Sequence, residues 1–94
     1  MKFSKEYSKL SADIFTTIRK RTKRYRLYDR VNIISPNQDF LVEVRGRLFL
    51  QKKDITEELA RSDADCSRQE LITQLEKWYG KKFDDFVLLQ LRRL

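Results

Sequence analysis

The sequence predicts one α+β domain over residues 1–94, a small, partly open β-barrel with three helices. Three observations lead there. Apolar residues alternate in several short β-branched runs that are separated along the chain. A lone glycine, Gly46, breaks the longest of these runs, as a strand turning a barrel corner requires. Two polar residues each stand three positions ahead of a glutamate, the spacing of a capping box at a helix start.

The elements follow in order. Phe3, Tyr7, Leu10 and Ile14 draw one apolar stripe at helical spacing, which predicts a short N-terminal helix. FTTIR (15–19) is aromatic and β-branched and predicts a strand. Residues 20–27 lack apolar periodicity and read as a loop. RVNIIS (30–35) is a strand with Val31 and Ile33 on one face, and PNQD (36–39) is a turn. In FLVEVRGRLFLQKK, Phe40, Val42 and Val44 alternate, and Leu48 and Leu50 resume the same parity beyond Gly46. Arg45 and Arg47 are then expected to face solvent together. DITE (54–57) starts a short helix reaching about Arg61. SRQE (67–70) starts a longer one whose apolar face is Leu71, Ile72, Leu75, Trp78 and Tyr79, all expected in the core. Gly80 sits where that helix should stop. FVLLQLRRL closes the chain as a half-buried strand, with Val87, Leu89 and Leu91 inward.

Composition narrows the chemistry. The chain has no histidine and a single cysteine, Cys66, which excludes histidine-based catalysis and an internal disulfide. No metal and no cofactor are expected. Cys66 reads as a small filler near a helix start. One cysteine, no leader-like segment and no long apolar run predict a cytoplasmic protein with no membrane span.

Charge is placed unevenly. Residues 1–53 hold 14 Lys and Arg against 5 Asp and Glu, whereas residues 54–94 hold 7 against 9. The excess concentrates after TTIR, where positions 19–30 carry seven basic residues and one acid, Asp29. Like charges packed this closely repel one another, so folding stability does not explain them. Tyr25 and Tyr28 are interleaved and offer ring faces to nucleobases. The expected partner is RNA, met by Arg19, Lys20, Arg21, Lys23, Arg24, Tyr25 and Arg26. Thr17 and Arg19, two apart on a strand, share one face and suit a phosphate or a base edge. Asp63, in RSDADCS, is either a turn former or an acceptor for a base amino group.

A short helix, FTTIR, a basic loop, YDRVNI, DITEELARSDA, a capped helix ending WYG and the final FVLLQLRRL together resemble the ASCH group of PUA-like domains. The likeness spans residues 7–94 and is greatest to small single-domain archaeal and bacterial members. It implies a PUA-like barrel with a groove along TTIR that binds RNA or a modified nucleotide. Some members are amidohydrolases that remove acetyl from N4-acetylcytidine. Their threonine and arginine fall on Thr17 and Arg19, and their glutamate falls nearest Asp63. Their catalytic lysine, three residues before the threonine, falls on Ile14, which cannot activate a hydroxyl. Where the family commonly has Gly-Asp, this chain has Tyr28-Asp29. The sequence therefore reads as a binding module for RNA or a nucleotide within it. The alternative is deacylation with Thr17 as nucleophile and Asp63 handling the proton.

Overall fold

The computed structural model describes residues 1–3, 5 and 7–94. Four strands, β1 (Ile14–Lys20), β2 (Arg30–Ile34), β3 (Asp39–Leu50) and β4 (Phe86–Arg93), form one antiparallel sheet in the order β1-β4-β3-β2. Two α-helices, α1 (Glu57–Ala64) and α2 (Arg68–Tyr79), lie between β3 and β4 in sequence. The domain is α+β as expected, but the sheet does not close into a barrel. Its two edges meet other chain segments: α1 packs against β1, and Lys2 bridges to Ile34 on β2. Both edges are thus occupied without pairing to each other.

The expected N-terminal helix falls partly on Ser4 and Glu6, which lie outside the described residues. The rest of it is a 3-10 turn, Ser8–Ser11, and Ile14 already belongs to β1 with its side chain 55% exposed. Phe3, Tyr7 and Leu10 are buried all the same, so their spacing marks core positions in irregular backbone rather than one helical stripe.

The sheet register decides which side chains share a face, since directly paired residues point the same way. Phe15, Thr17 and Arg19 pair with Leu91, Leu89 and Val87. On β3 the register shifts between Val44 and Gly46, where Arg45 is the extra residue of a β-bulge. Gly46 sits close to Gln90: a Cβ there would lie 3.2 Å from its side-chain oxygen. The bulge inverts the parity beyond it. Arg47 now pairs with Leu89, on the face of Thr17, and Leu48 is 61% exposed, whereas Leu50, paired with Phe86, is buried as expected. Arg45 and Arg47 therefore part: Arg45 is exposed, whereas Arg47 turns inward and donates from Nη2 to Thr22 O at 2.6 Å.

Both helices start from capping side chains. Ser67 and Glu70 cap α2 reciprocally, as their spacing requires, and Gly80 ends it at φ 97°. At α1 the cap is Thr56, whose hydroxyl accepts from Leu59 N at 3.1 Å. Asp54 instead closes a separate 3-10 turn, Lys52–Asp54, because Ile55 stays extended to bury its side chain. Among the described residues no helix is long and apolar enough to cross a membrane.

Candidate functional site

At the outer edge of β1, where α1, α2 and the N-terminal segment meet, lies a cleft of about 260 Å³. That volume suits a small planar ligand rather than a chain of them. Thr17, Arg19 and Asp63 all line it, and Phe3, Tyr7 and Trp78 give it aromatic walls. β1 supplies the first two because alternate strand residues share a face, and the last turn of α1 supplies Asp63.

Asp63 is 4% exposed. Its Oδ1 accepts from Thr16 Oγ1 at 2.9 Å and from Lys9 Nζ at 3.2 Å. Both bonds go to Oδ1. Lys9 is equally enclosed: its ammonium lies 5.4 Å from the Phe3 ring and 5.1 Å from the Tyr7 ring. Burial pushes the Lys9 amine below its ordinary range, and the Asp63 charge draws it part of the way back. Burial likewise lifts the Asp63 carboxyl above the usual carboxylate range, against the pull of Lys9 and Thr16. Each group is thus held nearer its neutral form than in water.

The position of Lys9 is set by its neighbour. Ser8 donates to Asp65 from its backbone N at 3.0 Å and from Oγ at 2.7 Å. Asp65 ends α1 in the left-handed conformation at φ 57°. The two carboxylates of SDAD therefore fasten consecutive residues of the 3-10 turn. Hydrogen bonds from Ser8 hold the Asp65 carboxyl below its ordinary range.

Arg19 is equally constrained. Its Nε donates to Thr17 Oγ1 at 3.2 Å, its Nη2 donates to Lys2 O at 3.1 Å, and its guanidinium lies 4.8 Å from the Phe3 ring centroid. A cation fixed in this way is organised before any ligand arrives.

The basic loop is placed elsewhere. Lys20, Arg21, Lys23, Arg24, Tyr25 and Arg26 do not line the cleft. The loop leaves the end of β1 and fastens to β3 through Arg47 to Thr22 and through Tyr28 N to Val44 O at 2.7 Å. Arg21 lies 4.0 Å from the Phe49 ring and 3.6 Å from Asp85, and Lys20 lies 5.4 Å from the Phe83 ring. Lys23 and Arg26 are exposed, and Arg24 and Tyr25 border a shallow depression with Met1 and Arg30. The nine predicted contact residues thus divide into three that line the cleft and six that do not.

Sequence reasoning missed Phe3, Tyr7 and Trp78 as walls of the cleft, and Lys9 as the partner of Asp63. Trp78 shares the helical period of Leu71 and Leu75, yet it is 49% exposed at the cleft because α2 ends there. Lys9 carries no local signal; only the fold brings it to Asp63. Cys66 is half-buried, and burial pushes its thiol up, away from reactivity. Among the described residues no group of three or more Cys, Asp and Glu could hold a metal ion.

Comparison of the chain with protein-family models, with curated proteins and with solved structures finds no match.

Proposed function

We propose that this domain is an ASCH-type, PUA-like module that binds RNA, holding one nucleotide, modified or not, in the cleft at β1. The observation that carries the reading is the convergence of Thr17 and Arg19 with Asp63, which is distant in sequence, within an aromatic-walled cleft. Arg19 and Thr17 offer donors and the Asp63 carboxylate offers an acceptor, so a base edge with mixed polarity can be satisfied. Trp78 supplies a half-exposed indole for stacking. The basic loop contributes affinity by neutralising phosphates of the flanking strand.

Titration of labelled single-stranded and structured RNAs at two salt concentrations tests this. With about four to six phosphates neutralised, affinity should drop steeply with salt. Trp78→Ala should weaken binding by roughly 1–3 kcal/mol, the worth of one stacked base. The same change should alter folding stability by less than about 1 kcal/mol, since the side chain is half exposed. Salt-insensitive binding, or an Arg21→Ala/Arg24→Ala variant that binds unchanged, would refute the electrostatic part.

A second reading, deacylation of an N4-acetylcytidine-like nucleoside, is favoured by one observation. Ile14 is no base, but Lys9 brings an amine to Asp63 from a different position. Thr17 would be the nucleophile and Asp63 would move the proton. Against it, Lys9 does not line the cleft, and the Thr17 hydroxyl is bonded by Arg19 Nε at 3.2 Å. Incubation with N4-acetylcytidine at high enzyme concentration decides: the binding reading predicts no acetate release.

A further inference from the structure

The turn that closes the basic loop is built at a conformational disadvantage. Asp29 N donates to Arg26 O at 3.0 Å, and Arg26 N donates to Asp29 Oδ2 at 2.9 Å, which ties residues 26–29 into a four-residue turn. Tyr28 N donates to Val44 O and Val44 N donates to Asp29 O, which clamps the turn onto β3. Tyr28 occupies the third position with φ 69°, a left-handed conformation that glycine adopts freely and a bulky residue does not. Its ring gains no burial in return, for Tyr28 is 67% exposed and Leu27 beside it is 51% exposed. A strained residue with its aromatic ring in water points to a surface completed by a ligand.

The surroundings say what kind of ligand. Arg26 opens the turn and Arg30 follows it, both exposed. Arg45, displaced outward by the β-bulge, places its guanidinium 5.8 Å from the Tyr28 ring centroid. Arg45 also pairs with Glu43 at 3.0 Å, which holds its guanidinium beside the exposed ring, and with Arg26 and Arg30 near in sequence the site matches a planar base followed by phosphates.

We propose that Tyr28 is a base-stacking platform for single-stranded RNA, separate from the cleft, with Arg26, Arg30 and Arg45 meeting the adjacent phosphates. The proposal rests on the RNA-binding reading and adds a second point of grip, distinct from the β1 cleft. The sequence already offers Tyr28 as a ring face for a base; the positive φ, the exposure and the neighbouring Arg45 come from the fold.

The test compares Tyr28→Gly and Tyr28→Phe by fluorescence anisotropy with a short labelled oligoadenylate and with an abasic strand of equal length. Tyr28→Gly should bind oligoadenylate about 5- to 160-fold more weakly, the range of one lost stacked base. It should bind the abasic strand as the parent does, and its melting temperature should equal or exceed the parent's, because strain is relieved. Tyr28→Phe should behave as the parent. Unchanged oligoadenylate binding by Tyr28→Gly overturns the platform. If Trp78→Ala is weakened at the same time, the cleft reading survives alone. Parent protein that binds neither strand at low salt overturns both. Tyr28-dependent binding to phosphatidylserine vesicles, with oligoadenylate unaffected, overturns the platform in favour of a lipid contact.

Discussion

Replacing Lys9 with methionine should destabilise the domain by about 3–5 kcal/mol, the usual loss when one partner of a buried ion pair is removed. Lys9 and Asp63 expose only 8% and 5% of their side chains, so water cannot take over the missing contact. Domains of this size have total stabilities of about 5–15 kcal/mol, so the change should be plain in a urea titration. The variant also carries a pH signature. Burial already raises Asp63 above the ordinary carboxylate range, and Lys9 is the strongest influence opposing it. Without Lys9 the folded carboxyl rises further, so folding favours its protonated form. Stability from that group is then fully present below the unfolded pKa and is lost as pH rises through the folded one. Lys9→Met should therefore melt at a higher temperature in mildly acidic buffer than in neutral buffer. The double variant Lys9→Met/Asp63→Leu should recover most of the loss, because it removes both charges together. A single variant as stable as the parent would mean that the pair contributes nothing to folding.

Phe86→Ala should cost about 3–5 kcal/mol as a large-to-small change in a packed core. Phe86 is 1% exposed, and its ring lies 5.3 Å from Phe83 and 5.9 Å from Tyr79, centroid to centroid. This cluster seats the end of α2 on the sheet, and α2 carries Leu71, Leu75 and Trp78 into the cleft wall. The loss should appear as a lower urea midpoint with an unchanged slope. Ligand binding should weaken only under conditions where the variant is partly unfolded. A midpoint within experimental error of the parent would show that α2 is held by other contacts.

Much of the architecture was legible because it depends on neighbours in sequence. The β1 and β4 patterns, the Ser67 cap and the stop at Gly80 each follow from residues within a few positions. Thr17 and Arg19 were legible as a shared face for the same reason. Other features were not. The parity of Leu48 depends on one extra residue at Arg45, and that bulge exists only because β4 sets the register on the other side. The Asp54 cap was misplaced because Ile55 buries its side chain at the expense of a longer helix. The basic loop was read as the rim of the cleft since it follows β1 directly. Arg47 and Val44 draw it across to β3 instead.

The amino-acid order alone therefore establishes strand and helix character, an uneven charge and the absence of histidine chemistry. These rest on composition and on contacts between near neighbours. The pairing of Lys9 with Asp63, the aromatic cleft and the exposed, strained Tyr28 were decided by tertiary structure. Each joins or exposes residues according to packing between distant segments, which no local period encodes.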